Sequence, residues 1–267
     1  MEENPNIKKN IEYLLLFARF SQLDKVKLFI EERNVDVNSA DDMGCTALHA
    51  AALRGYDAIV EYLLSKGANV DAKTVHDKPT LSGVTPLAYA VKQGYVSTAK
   101  IPLEHGAKTD IMIDECSLLS ISVGTNNADM VNLLLDNGAD INDDRGYDGR
   151  TPLCFALLSE KKEDSGGVEL LLKHVEAKEG KEKLLEYINY NGAINGRTAL
   201  HGACISKNYH ATKVLLEHGA DYNIKDKEGS KPYHLTAAET ISSTYTPLFK
   251  EKREEQRQAQ SPDNIKL

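Results

Sequence analysis

The chain has 267 residues, 41% of them apolar and none of them Trp, with a formal net charge of −8. No apolar run approaches the ~20 residues that crossing a bilayer requires, and Met1-Glu2-Glu3-Asn4-Pro5 lacks the basic-then-apolar form of a secretory signal. Net acidity argues against nucleic acid as the main partner, because binding phosphates needs a concentrated positive surface.

In chain order, residues 11–38 read as a helix pair without the turn phrase found further on, so residues 1–40 are expected to form an N-terminal cap. The phrase first appears in full as Gly44-Cys45-Thr46-Ala47-Leu48-His49-Ala50-Ala51-Ala52-Leu53-Arg54-Gly55, followed by Leu63-Leu64 and Gly67-Ala68. It returns at Val84-Thr85-Pro86-Leu87, Cys116-Ser117-Leu118-Leu119, Gly149-Arg150-Thr151-Pro152-Leu153, Gly196-Arg197-Thr198-Ala199-Leu200-His201 and, weakly, Gly229-Ser230-Lys231-Pro232-Tyr233-His234. A period near ~33 residues marks a stack of helical repeats, occupying residues 41–248. Insertions break the period at 74–82, 159–167 and 175–191, and the last carries Leu184, Leu185, Tyr187 and Ile188 at the spacing of a short extra amphipathic helix. Residues 249–267 are polar and predicted to be disordered. Glu251, Glu254 and Glu255, with Ile265 and Leu267 beyond them, also resemble the glutamate-rich secretion signals of bacterial effectors.

Each residue type in the phrase has a physical reason. A hydroxyl at Thr46, Thr85, Thr151 or Thr198 can accept a backbone N–H left open at the start of a helix. Pro86 and Pro152 follow, where the missing N–H costs nothing. Gly55, Gly94, Asn126 and Asn208 are expected to end the first helix in the left-handed conformation. Pro102 replaces a Leu of the apolar pair, which predicts a bent or shortened second helix. A single repeat cannot bury its own apolar face, so stability comes from the stack.

These phrases resemble the ankyrin repeat family, in which a Thr-Pro-Leu-His turn and helix are followed by a second helix and Gly-Ala-Asp/Asn. The resemblance covers roughly residues 11–245 and implies an all-α solenoid of six to seven repeats, caps included. It implies a non-catalytic module that binds a protein partner through its concave face. On that face the variable positions of the phrase are the candidate contacts: Met43, Leu53, Arg54, Lys92, Gln93, Ile113, Tyr147, Asp148, Arg150, Ile194, Arg197 and Ile205. Tyr147, Arg150 and Arg197 lead, because Tyr and Arg are enriched in binding hot spots. Leu134 with Asp140-Ile141-Asn142, and Leu215 with Asp221-Tyr222-Asn223, match the loop form hydroxylated on Asn in this family, so Asn142 and Asn223 are candidates for that modification. Elsewhere such an Asn ties the finger turn to backbone.

The search for chemistry finds little. His49 and His201 share one column of the family phrase, where an imidazole typically bonds the adjoining turn. Cys204 falls in a packed Ala column, as a buried and inert thiol. The acidic stretch from Asp136 to Asp148 fails as a calcium loop, with Arg145 where Gly is needed and Thr151 where Glu is needed. The expectations are therefore no enzyme activity, no catalytic residues, no cofactor, no metal, no nucleic acid and no membrane. The four cysteines fall in different repeats, which points to a reducing, cytoplasmic compartment, and the chain is expected to be a monomer. The competing readings are a secreted effector acting in a host cytosol, and an enzyme-linked protein whose activity lies in the insertions.

Overall fold

The computed structural model describes residues 5–75, 83–146, 149–157, 166–192, 195–236, 245–252 and 254. The expectations for most of the 74–82 and 159–167 insertions and for the tail beyond residue 254 lie outside them. By internal contact the chain divides into two compact units, residues 1–122 with 127–140, and residues 123–126 with 141–267. Among the described residues no helix is long and apolar enough to cross a membrane.

The first unit is built from helix pairs: α1 (Pro5–Arg19) with α2 (Leu23–Glu31), α3 (Ala47–Ala52) with α4 (Asp57–Ser65), and α5 (Pro86–Gln93) with α6 (Val96–Glu104). A two-stranded finger, β1 (Met112–Ile113) and β2 (Cys116–Ser117), then leads to α7 (Leu118–Gly124) and α8 (Ala128–Asp136). First helices stack on first helices, α1 on α3 on α5, and second helices on second, α2 on α4 on α6 on α8. Small residues permit the first stack: Ala18, Ala47, Ala51 and Ala52 are fully buried. Leu14, Leu48, Ile59, Val60 and Leu63 fill the space between the layers.

The helices start as their sequence dictates. Thr46, Thr85 and Thr151 each accept the backbone N–H three residues on, and Pro86 and Pro152 occupy the first helical turn. The left-handed position that closes the first helix is taken by Gly55, Gly94, Asn126 and Lys207, with φ of 73°, 76°, 54° and 59°. The expectation for Asn208 is thus corrected by one residue: Asn208 caps the next helix instead, its Oδ1 accepting from Ala211 N at 2.9 Å. Pro102 does not shorten its helix. Like α4 and α8, α6 runs nine residues, because Pro102 lies in the last turn and forfeits a single backbone donor.

One side of the α1–α2 pair is aromatic. The rings of Tyr13, Phe17 and Phe29 meet at centroid distances of 5.3–6.1 Å. Three cations lie over their faces: Lys25 4.9 Å from Phe17, Arg33 4.9 Å from Phe29 and Lys9 5.9 Å from Tyr13.

The second unit holds α9 (Pro152–Ala156), α10 (Gly166–Ile188), α11 (Ala199–Ile205), α12 (Tyr209–Glu217), a 3-10 turn (Pro232–Thr236) and a last helix, α13, at 245–252. Helix α10 is two helices run together, broken at Gly180 with φ 84° and ψ 175°. Its segment after Gly180 is the additional helix expected in the 175–191 insertion, and it buries Leu184, Tyr187 and Ile188.

Successive repeats are tied by buried imidazoles. In the first unit Thr46 N–H donates to His49 Nδ1 at 3.1 Å, so the ring proton sits on Nε2, which donates to Val84 O at 3.1 Å in the following finger. In the second unit Thr198 N–H donates to His201 Nδ1 at 3.1 Å, and His201 Nε2 donates to Ser230 O at 3.1 Å. Asn side chains make further ties: Asn38 Oδ1 accepts from Asn69 N and Asn189 Oδ1 from Asp221 N, both at 2.7 Å.

Two outcomes follow. Lys207 is exposed and left-handed, so Lys207→Gly is expected to raise stability by about 0.5–1 kcal/mol in urea denaturation. Burial lowers the pKa of both His49 and His201 below 6.5, so the unfolded chain binds protons there that the folded chain does not. Their contribution is then complete above pH ~6.5 and declines as the solution is acidified towards the folded pKa. Urea midpoints should fall between pH 7.5 and 5.5, and the decline should flatten in a His49→Gln, His201→Gln double variant that is less stable at the higher pH.

Candidate functional site

The first helices of the first unit leave an open cleft of about 310 Å³ between α1 and α3, reaching Tyr89 on α5. Its walls are Leu15 and Leu16 from α1, Ala50 and Leu53 from the α3 region, and Cys45 from the finger. His49 reaches it with a ring already committed to its neighbours. Glu12, Arg19 and Asp41 form the polar rim.

The local sequence explains the cleft. Tyr13-Leu14-Leu15-Leu16-Phe17 is apolar around more than one helix face, and a helix can bury only a stripe. Leu14 takes the stack, while Leu16 stays 45% exposed on the open side. Asp41 holds the finger beside it: its Oδ1 accepts from Met43 N and Cys45 N, both at 2.9 Å.

The floor carries no charge at neutral pH. Burial, then the neighbouring Asp41, pushes the Cys45 thiol up, and burial, then Cys45 and Asp41, pushes Tyr89 up. Burial also raises the thiols of Cys116, Cys154 and Cys204, the last to about 12. None of the four is shifted towards the thiolate that nucleophilic chemistry uses. The arrangement can exclude water from an apolar group and present charge at its edge.

The charge at that edge is mixed, Arg19 against Glu12 and Asp41. Arg19 ends α1, and Arg54 follows the cleft-lining Leu53. Both are exposed, and neither makes an ion pair or hydrogen bond through its side chain with the described residues. The nearby Asp42 is paired with Lys8 at 2.9 Å, and Lys92 with Asp114 at 2.7 Å.

The contacts expected from the sequence separate into groups. Leu53 lines the cleft, while Arg54, Gln93 and Met43 are exposed, Met43 by 47%. Ile205 is 45% exposed in the second unit, and Arg150 is half-buried there. Tyr147, Asp148 and Ile194 lie outside the described residues. Ile113 is corrected: at 2% exposure it faces the core from the finger.

Arg197 is corrected as a free anchor. Its Nε donates to Asp226 Oδ2 at 3.1 Å and its guanidinium also approaches Glu228. The Asp226 side chain is fully buried. Burial opposes its ionisation, yet the N–H groups of Ser230 and Glu228 and the Arg197 guanidinium outweigh that and hold its pKa below the usual carboxylate range. Arg197 is thereby spent on its own finger.

Sequence reasoning passed over Glu12, Leu15, Leu16 and Arg19, since residues 1–40 read only as a cap. The signal available was the surplus of apolar residues in 13–17.

Asn142 and Asn223 are both exposed. Asn223 Oδ1 accepts from Lys231 Nζ at 3.0 Å, and Asn142 lines a smaller cleft of about 230 Å³ with Val175, Glu179, Lys183 and Tyr190.

Comparison with known proteins agrees with this architecture. The family model for ankyrin repeats (three copies) matches residues 2–74, 73–145 and 119–226. Palmitoyltransferase AKR1 of Lachancea kluyveri is 30% identical over 227 residues, which is 82% of this chain and 28% of that protein. The chain spans less than a third of the length of the curated relatives that align with most of it. Among solved structures, the human ASB11 ankyrin repeat domain is similar with a TM-score of 0.64 at 23% identity, covering 88% of this chain and 96% of that one. The ankyrin repeat domain of Bcl-3 is similar with a TM-score of 0.67 at 21% identity, covering 87% and 97%. With its phrases, its paired helices and its tied fingers, the chain belongs to the ankyrin repeat family.

Proposed function

We propose that the chain is a non-catalytic interaction module that takes a partner protein on the face formed by its first helices and finger turns. The observation that carries this reading is the cleft over α1, α3 and α5, apolar on its floor and edged by exposed charge. Such a surface suits a protein side chain better than a reaction, which needs convergent polar groups with pKa values tuned to their task. The four free cysteines, which stand in different repeats, fit a reducing compartment such as the cytoplasm. Exposure of Asn142 and Asn223 leaves both accessible to hydroxylation, with this protein as the substrate.

A second reading places the module beside a catalytic part in a longer chain. It is favoured by the name of the Lachancea kluyveri relative, a palmitoyltransferase much longer than this chain. In that setting the repeats would supply recognition, and the chemistry would belong to the other part.

The test is affinity capture from lysate by the intact protein and by a Leu16→Asp, Arg54→Glu variant whose circular dichroism and melting temperature are unchanged. A protein held by the first and lost by the second is the expected result. A protein held equally by both would place recognition away from the first-helix face of this unit.

A further inference from the structure

We propose that the Asn191-Gly192 pair is a site of deamidation, at which the amide of Asn191 is converted to a mixture of aspartate and isoaspartate. The chain carries three Asn-Gly pairs, at 137–138, 191–192 and 195–196. Asn is a thermolabile residue, and a following glycine hinders attack on it least. All three pairs are therefore chemically eligible, and the fold decides among them.

The step is intramolecular. The glycine's backbone nitrogen attacks Cγ of the Asn; that C–N bond forms as the bond from Cγ to Nδ2 breaks. Nδ2 leaves as ammonia with the glycine's amide proton. Water then opens the cyclic imide. Addition at Cγ leaves aspartate, and addition at the main-chain carbonyl leaves isoaspartate, with the backbone rerouted through Cγ. No reactant besides water is needed. Ring closure requires the Asn side chain to swing over the following amide, and that amide to release its proton, so hydrogen bonds on either group oppose it.

At Asn137 both groups are held. Its Nδ2 donates to Leu133 O at 2.8 Å, and Gly138 N–H donates to Leu135 O at 3.1 Å. At Asn195, Oδ1 accepts from Arg197 N at 3.1 Å and the main-chain carbonyl accepts from Lys227 N at 3.0 Å. Gly196 lies against Lys227, which confines that backbone further.

Asn191 differs on each count. It is exposed, and among the described residues neither it nor Gly192 makes a hydrogen bond. The glycine after it is also required. A Cβ at Gly192 would overlap the ring and hydroxyl of Tyr190, whose O–H donates to Asp144 Oδ2 at 2.8 Å. The fold thus keeps the least hindering residue next to an Asn that it leaves loose. Conversion puts a carboxylate adjacent to Tyr190. Isoaspartate also lengthens the backbone just beyond Asn189, whose Oδ1 accepts from Asp221 N at 2.7 Å.

The experiment follows the folded protein, and the same protein unfolded in guanidinium chloride, over days at mildly alkaline pH. Tryptic peptides are read by mass spectrometry with electron-transfer fragmentation, which distinguishes isoaspartate from aspartate and Asn191 from Asn195 within one peptide. In the folded protein Asn191 should convert severalfold faster than Asn137 and Asn195, giving both products, and in guanidinium the three rates should draw together. An Asn191→Gln variant, whose longer side chain must close a larger ring, should lose the folded-state signal with its circular dichroism unchanged. Conversion of folded Asn137 or Asn195 as fast as Asn191 overturns the proposal. So does an Asn191 that survives in the folded protein and converts once unfolded, or a signal that persists in Asn191→Gln. Every arm uses the chain alone, so the outcome is independent of whether the repeats bind a partner.

Discussion

Each helix pair in this chain presents an apolar face wider than two short helices can close over, and the following pair along the chain supplies the cover. α3 is six residues long and α9 five, far below the length at which an isolated helix holds in water. α3 persists because Ala47, Ala51 and Ala52 let α1 and α5 approach on either side, and α9 because α10 and α11 pack against it. The polar bonds follow from that closeness. A buried imidazole is tolerable only when both nitrogens are matched, and stacking brings the next finger's carbonyl within reach of His49 and of His201. Packing and polar satisfaction thus depend on the same spacing between repeats.

That dependence also decides what is left for recognition. Residues that hold a finger, such as Asp41, Asp226 and Arg197, are engaged before any partner arrives. Residues that fill the stack are out of reach. What remains are side chains on the open side of the first helices, such as Leu16, with the half-buried Leu53 beside it in the cleft, together with exposed cations for which the fold has no use. Recognition in such an architecture draws on the remainder after folding, and so it can vary without changing the scaffold.

The scaffold was legible in the sequence because its determinants are local and repeated. Thr before Pro or Ala marks a helix start, and His three residues after Thr46 and Thr198 marks the brace. The cleft was much less legible. A column in a repeat phrase says where a side chain begins, and what it touches depends on neighbours that one sequence does not pair. Arg197 lies in a variable column yet turns to Asp226, 29 positions away. Ile113 lies in another and turns inward, because the Asp114-Glu115 turn, with both φ positive at 49° and 62°, reverses the chain tightly. Asn208 looked like a left-handed stop, and its capping of α12 moved that conformation to Lys207. The fullest omission was α1, whose surplus of apolar residues was visible while its direction was not.

The aromatic side of the α1–α2 pair has a consequence for how this stack could be lengthened. Tyr13 and Phe17, packed on the buried Phe29, offer ring surface of the kind that another helix pair would cover, and Lys9, Lys25 and Arg33 lie across the three rings instead. A cation over a ring is a removable lid, hydrated on one side and attracted to the ring on the other. Exchanging those three for alanine or leucine, with a compatible repeat fused upstream, would convert a surface that water tolerates into a joint that a neighbour must fill. The α1–α2 pair would then carry a junction whose assembly is governed by three side chains.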